Sequence, residues 1–193
     1  RLLYLITEDW YFRLHWIRLA QAARDAGFEV LLAMRVQEHD PEISRQGFKL
    51  FPINLLRRSV NPMREFLAVV ELARLYRAQK PDLVYHVAIK PILYGSIAAR
   101  LADVPSVINV FAGLGYAYTS DELRAKLLRL FLKFGLSAAC KSAGSLAVFQ
   151  NEEDQAQLVR DHVVLESQTR VIPGTGVDTD RFRPISNESS DHI

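Results

Sequence analysis

Gly113 and Gly115 flank Leu114 in the stretch Phe111-Ala112-Gly113-Leu114-Gly115-Tyr116, directly after an apolar run. A loop with so few side chains lets backbone approach a ligand closely, and its N–H groups can face phosphate oxygens. The same glycines would equally serve a tight strand-to-helix turn. His86 ends another apolar run, with Lys90 shortly after it. Together they could contact a hydroxyl or a phosphate, or they could be a histidine bonded to a neighbouring loop and a solvated lysine. Glu8 and Asp9 supply carboxylates that accept hydrogen bonds from ligand hydroxyls. Beside them Trp10, Tyr11 and Phe12 either stack on a ligand or pack over the end of a sheet. Gly174 and Gly176 form a second glycine pair near the end of the chain.

Several other chemistries are not supported. No G-x-G-x-x-G follows the first apolar run and no Walker-type lysine loop is present, so no dinucleotide or other cofactor is expected. His39 and Asp40 sit in a polar stretch without a second histidine at metal spacing, and His15 has no partner ligand on its helix; no metal is expected. There is no G-x-S-x-G elbow. Glu152, Glu153 and Asp154 read as favourable charges at a helix N-terminus.

The elements that must position these groups alternate between short apolar runs and longer amphipathic ones. Strands are predicted over 2–6, 29–34, 48–53, 83–86, 106–110, 146–149 and 170–172. Trp16, Leu19, Ala20 and Ala23 have helical spacing, ending at Gly27 in the C′ position. Asn61 followed by Pro62 is a helix start, with Phe66, Val69, Val70, Ala73 and Tyr76 as its apolar face. A helix beginning near Pro91 carries Gly95, Ala98 and Ala99, small enough to lie close against a sheet. The longest helix is expected from about residue 121 to about 140, and Asn151 caps a short one with Asp154 at N3. Strands alternating with helices imply crossover connections, hence a doubly wound, mostly parallel, Rossmann-like α/β sheet covered on both faces. In such sheets ligands bind beyond the carboxyl ends of the strands, which is where the candidate residues above fall.

Composition agrees with one ordinary folded domain: 193 residues, 49% apolar and 24% charged. The net charge of +2 is too mild for a dedicated nucleic-acid binder. The single cysteine, Cys140, permits no internal disulfide and reads as a small buried residue in a helix. No run approaches the apolar length of a membrane span. The first residue is Arg1 and the last residues are polar without a hydrophobic pattern; the expectation is a fragment, with a domain over 1–184 and a polar linker over 185–193 leading to a carboxy-terminal donor-binding domain outside it.

Four blocks in order carry a family resemblance. Thr7-Glu8-Asp9-Trp10-Tyr11-Phe12 with Ala26-Gly27-Phe28-Glu29-Val30 resembles the opening of the family 4 glycosyltransferases that build bacterial surface polysaccharides. His86, Lys90-Pro91, Tyr94-Gly95, Ala98-Ala99-Arg100 and Val104-Pro105 are similar to that family's second block. Residues Asn109 to Tyr116 resemble its glycine loop, and Ile172 to Asp178 with Phe182 and Pro184 resemble the segment before its interdomain linker. The chain departs at Ala112, where many relatives have a histidine next to the transferred sugar.

The resemblance implies one half of a GT-B architecture, the acceptor-side half, in a retaining glycosyltransferase. Its partners would be a nucleotide-sugar donor, bound mostly by the other domain, and a saccharide or polyprenyl-diphosphate-linked acceptor. The fragment alone would be inactive. The alternatives are a nucleotide-sugar 2-epimerase of the same architecture and a non-catalytic glycan-binding or scaffold domain. Leu123, Leu127, Phe131 and Phe134 share one face of the long helix, beside a basic stripe of Lys126, Arg129 and Lys133. Such a helix either packs on a core with a solvated face or lies on an anionic membrane surface. In the second case Arg57 and Arg58 would reinforce the patch, and the protein would be cytoplasmic and peripheral on the inner face of the bacterial inner membrane.

Overall fold

The computed structural model describes residues 1–37, 43, 45–56, 61–115, 118, 122–142, 144–174 and 176. In chain order these form β1 (Leu2–Glu8), α1 (Asp9–His15), α2 (Ile17–Asp25), β2 (Val30–Arg35), β3 (Lys49–Pro52), α3 (Pro62–Gln79) and β4 (Leu83–Val87). There follow α4 (Ile89–Leu101), β5 (Ser106–Phe111), α5 (Leu123–Cys140), β6 (Ser145–Phe149), α6 (Glu152–Arg160) and β7 (Thr169–Val171). The strands make one sheet in the order β3-β2-β1-β4-β5-β6-β7, and every pairing is parallel. The chain winds outward from β1 to β3, then returns to β4 and winds the other way. The switch point lies between β1 and β4, and all seven carboxyl ends share one edge.

Buried on both sides, the strands read as continuous apolar runs, and side-chain alternation sorts them into two layers. Leu3, Leu5, Leu31, Ala33, Val84 and Val107 face α3 and α4. Farther along the same face, Phe111, Ala147 and Phe149 meet Leu132, Leu136 and Cys140 of α5 and Leu158 of α6. On the opposite face, Tyr4, Ile6, Leu32 and Met34 pack under Phe12, Trp16, Ile17 and Ala20 of α1 and α2. Those two short helices cover only the β1–β3 side. Among the described residues, the second face over β4, β5 and β6 is an apolar trough walled by Tyr85, Ile108, Val110, Leu146 and Val148, with a cavity of about 320 Å³. Trp16 borders the trough, and its buried indole N–H has no partner among the described residues.

Local signals explain most boundaries. Asn61 accepts from the backbone N–H groups of Met63 (3.1 Å) and Arg64 (3.3 Å), and Pro62 opens α3. Asn151 accepts from Asp154 N at 2.7 Å to start α6, and Gly27 follows the α2 cap with φ 94°. Cys140 is buried at the end of α5.

Two expectations are corrected, and the facing of α5, left open by its sequence, is decided. The first strand does not end at residue 6: β1 runs on to Glu8 and α1 begins directly at Asp9, because side chains of this stretch, Phe12 above all, are drawn onto the sheet. The buried face of α3 is Ala68, Leu72, Ala73 and Tyr76, with Phe66 exposed. On α5 the face of Leu123, Phe131 and Phe134 points outward, while Leu132, Leu136, Ala139 and Cys140 face the core. An amphipathic wheel with apolar residues on both sides does not say which side the sheet takes. The Leu127 side chain, Arg57, Arg58, the His39-Asp40 loop and the tail from residue 177 lie outside the described residues.

Candidate functional site

At the switch point the carboxyl ends of β1 and β4 are neighbours, and β5 follows next to β4, with Val87 paired to Val110. The turns after these three strands therefore stand side by side. The first holds Glu8 and Asp9, both buried. At the first position of α1, Asp9 accepts from Trp10 N at 2.8 Å, and its second oxygen accepts from Gln37 N at 2.9 Å. Glu8 accepts from the Gln37 side chain at 2.5 Å, with the Arg35 guanidinium 3.9 Å from its other oxygen. The two carboxylates tie the end of β1 to the segment leaving β2. Trp10 projects from the first turn of α1, exposed, with Tyr11 edge-on at 5.7 Å between ring centres.

The second turn is tighter than its residue types suggest. Ala88 links β4 to α4 with φ 76° and ψ 162°, a region that a residue with a Cβ rarely occupies. Its N–H donates to Val110 O at 3.0 Å, which holds the turn against β5. No side chain among the described residues caps α4, so the positive end of its dipole lies at this edge. Ala88→Gly should raise the unfolding free energy by about 1 kcal/mol, the relieved strain exceeding the added chain entropy, as read by urea denaturation. Lys90 does not reach into the cleft: its ammonium donates to Leu56 O at 2.6 Å and pairs with Glu65 at 2.9 Å, fastening α4 to α3.

The third turn carries the glycines. Gly113 (φ 99°) and Gly115 (φ 67°) are exposed, and a Cβ at either would meet nothing within 4 Å. Between them Leu114 is buried among Ile92, Phe111 and Leu136, where it anchors the loop. Beyond β6 and β7, Gln150 and Gly174 border the trough described above, and Gly174 (φ 52°) and Gly176 (φ 71°) are exposed.

His86 is corrected outright. It ends at the carboxyl side of β4 as expected, but its ring points into the α3–α4 layer and is fully buried. Nε2 lies 3.1 Å from the Tyr76 hydroxyl and Nδ1 lies 3.0 Å from Asn109 Oδ1. Since that amide oxygen can only accept, Nδ1 carries the proton and Nε2 accepts from Tyr76. Burial drives the imidazole down to about 4, against the pull of its Asn109 bond, so it is neutral near pH 7. Asn109 is the centre of this network: its oxygen also accepts from Ser96 (3.3 Å), and its amide nitrogen donates to Ser145 (3.3 Å) and to the Cys140 sulfur (3.8 Å). Burial raises the Cys140 thiol to about 12, a poor nucleophile. A polar residue inside the run Val107-Ile108-Asn109-Val110-Phe111 was a visible signal of a buried network. Ala88 gave no such signal.

The basic stripe of α5 is largely bound up within the domain. Lys133 pairs with Asp161 at 2.7 Å, and Arg129 lies over the Tyr118 ring at 5.4 Å. Although burial opposes it, hydrogen bonds from Lys133 and Gln157 hold the Asp161 carboxyl below its ordinary range. Lys126 is exposed. Among the described residues no helix is long and apolar enough to cross a membrane.

Similarity to known proteins agrees with this geometry. The sequence pattern of the family described as "Glycosyl transferase 4-like" matches residues 1–143. The chain is 26% identical over 180 residues to the N,N'-diacetylbacillosaminyl-diphospho-undecaprenol alpha-1,3-N-acetylgalactosaminyltransferase of Campylobacter jejuni, spanning 93% of this chain and 46% of that protein. It is 29% identical over 140 residues to the UDP-Gal:alpha-D-GlcNAc-diphosphoundecaprenol alpha-1,3-galactosyltransferase of Escherichia coli, spanning 72% of this chain and 35% of that protein. The fold matches a glycosyltransferase from Rickettsia africae with a TM-score of 0.69 at 16% identity, over 93% of this chain and 44% of that one. The chain thus spans less than half the length of each.

Proposed function

Because the chain belongs to the glycosyl transferase 4-like family, we propose that it is the acceptor-side half of a retaining glycosyltransferase, moving a sugar from a nucleotide-diphosphate donor to a polyprenyl-diphosphate-linked saccharide. Residues 1–184 form this half, and the polar stretch over 185–193 leads to a second, donor-binding half. The protein works on the cytoplasmic face of the inner membrane. The names of both relatives, which place their acceptors on diphospho-undecaprenol, support the acceptor class.

One observation carries the reading: the exposed Gly113–Gly115 turn follows β5 at the carboxyl edge, one strand from the switch point, and a Cβ at either glycine would meet nothing within 4 Å among the described residues; open parallel sheets bind ligands at this edge. Aligning two substrates and stabilising charge on a departing diphosphate are the physical tasks of glycosyl transfer. The chain's own residues meet the first of these. Glu8 and Asp9 fix the rim at β1, Trp10 offers a ring for a sugar face, and the backbone of Gly113, Gly115, Gly174 and Gly176 admits a substrate at van der Waals distance. The N-terminal end of α4 favours an anionic group at the same edge. His86, Lys90 and Leu114 hold these turns in place from behind.

The test uses the full-length protein with a panel of nucleotide sugars and a diphospho-polyprenol-linked saccharide. Transfer with retention of anomeric configuration is expected. Gly113→Val should lower kcat/KM at least about tenfold, since a β-branched residue at this φ is strained and fills the space beside the turn. Epimerisation at C2 of a nucleotide sugar without any acceptor, or no reaction with any donor, would overturn the reading.

A further inference from the structure

Glu8 and Arg35 are an ion pair that does not close. The approach of Arg35 Nη1 to Glu8 Oε1 is 3.9 Å. A guanidinium and a carboxylate in direct contact settle at about 2.7–2.9 Å, commonly through two parallel bonds. Glu8 is a buried carboxylate, its side chain 8% exposed, and a buried polar group normally gathers hydrogen-bond partners. Its Oε2 accepts from the Gln37 amide, whereas Oε1 faces only the distant guanidinium among the described residues. Arg35, 41% exposed, makes no hydrogen bond among the described residues. A charged donor and a charged acceptor therefore stand opposite each other with room for one atom between them.

The strands set this gap. β1 and β2 run in register from Leu2 against Val30 to Leu5 against Ala33, after which the register shifts and Glu8 stands opposite Arg35. By alternation Glu8 would follow Ile6 toward α1, while Arg35 would follow Ala33 toward α3. The additional residue on β1 re-aims Glu8 across to its neighbour, as a bulge does. Glu8 cannot swing to the guanidinium without giving up Gln37, and Gln37 is itself held through its backbone N–H by Asp9. Both residues end their strands at the carboxyl edge, and the exposed ring of Trp10 follows Glu8 by two positions.

We propose that the gap reads one hydroxyl of the acceptor saccharide: the hydroxyl donates to Glu8 Oε1 and accepts from Arg35 Nη1, which makes Arg35 a specificity-determining residue. An oxygen about 2.8 Å from both atoms subtends an angle of about 90° between them, which the proton and lone pairs of a hydroxyl can serve. Charge selects the class of ligand. A phosphate drawn to Arg35 would come against the Glu8 carboxylate, and a cation drawn to Glu8 would meet the guanidinium. A neutral group that donates and accepts at once satisfies both. Sugars are lined with such groups, and a sugar lying on Trp10 would bring its rim to the pair. The inference rests on the proposed function for the identity of the ligand, an acceptor saccharide.

The test is titration calorimetry of the full-length protein without any donor. The probes are hexoses and N-acetylhexosamines α-linked to farnesyl diphosphate, followed by the monodeoxy analogues of the sugar that binds. One analogue should bind wild type about tenfold more weakly than its parent, the size of one lost charged hydrogen bond. Arg35→Met should bind the parent about tenfold more weakly than wild type does, and should distinguish the parent from that analogue by less than about twofold. The ratio is taken within one protein, so a general loss of stability does not move it, and the analogue series on wild type needs no variant. Wild type that binds every monodeoxy analogue as well as the parent overturns the proposal and leaves the gap to an ordinary bridging water. So does Arg35→Met that keeps the full discrimination, or a panel of which no sugar binds. Binding that depends on Arg35 and one hydroxyl, without transfer from any nucleotide sugar, would sink the enzymatic reading and leave the pair standing; transfer to the parent with no hydroxyl read through Arg35 would do the reverse.

Discussion

Gly95→Ala should destabilise the domain by about 3 kcal/mol, although on helix propensity alone alanine would stabilise α4 by about 1 kcal/mol. The contest is decided by distance. A Cβ at Gly95 would sit 2.5 Å from His86 Nε2 and 2.7 Å from a Leu5 methyl, well inside contact range. Neither neighbour has room to retreat, because Leu5, unlike the half-buried Leu93, is fully buried and His86 is clamped between Tyr76 and Asn109. Forcing the ring aside would also break the bond to the Tyr76 hydroxyl and strand a buried donor, which costs about 1–3 kcal/mol by itself. Gly135 provides the control: a Cβ there would meet only the end of the Leu93 side chain, at 2.7 Å, and a leucine tip can turn away. Gly135→Ala should change stability by less than about 1 kcal/mol. Urea denaturation of both variants checks the pair; equal effects would mean that α4 does not lie this close to the sheet.

The second large effect is expected from acid. His86 titrates at about 4 in the fold and near 6.5 in an unfolded chain. The unfolded state therefore binds the additional proton first, and stability falls as pH drops from about 6.5 to about 4. The loss over that window is roughly 3 kcal/mol. Protonation places a charge in an apolar layer and turns Nε2 from acceptor into donor, facing the Tyr76 hydroxyl. The contribution of Asp161, a carboxylate held below its usual range, is present above that range and fades only at still lower pH, so the two effects separate. Unfolding curves across this window should steepen in their pH dependence for wild type. They should flatten for His86→Ala, which starts from lower stability because Tyr76 and Asn109 lose their partner.

The architecture was legible because strands buried on both faces have to be apolar throughout, and runs such as Leu2–Ile6 and Leu146–Phe149 leave no other reading. The caps at Asn61 and Asn151 and the close approach at Gly95 were legible for the same kind of local reason: the residue type implies one geometry. What was not legible depends on which of two chemically equivalent surfaces the rest of the molecule selects. On α5, spacing marks an apolar face at Leu123, Phe131 and Phe134, but Leu132 and Leu136 define another, and only the position of the sheet chooses between them. His86 ends its strand where a ligand contact would stand, yet strand alternation turns its ring to the α3–α4 side. The Ala88 turn is invisible for a further reason: its strain is imposed by β5 and α4, not by any preference of alanine.

The Asn109 amide also guards the alignment of the sheet. Leu5, His86, Asn109 and Ala147 lie in one row across four strands. Were β5 to slide by a single residue, every side chain on it would change sides, and Asn109 would enter the trough among Tyr85, Leu146 and Val148. Leucines and valines tolerate such an exchange because contact between hydrocarbons has little direction. An amide does not: it would leave an imidazole, two hydroxyls and a thiol without their common neighbour. The network thus acts as a proofreader of pairing, rejecting near-miss arrangements that greasy contacts alone would accept.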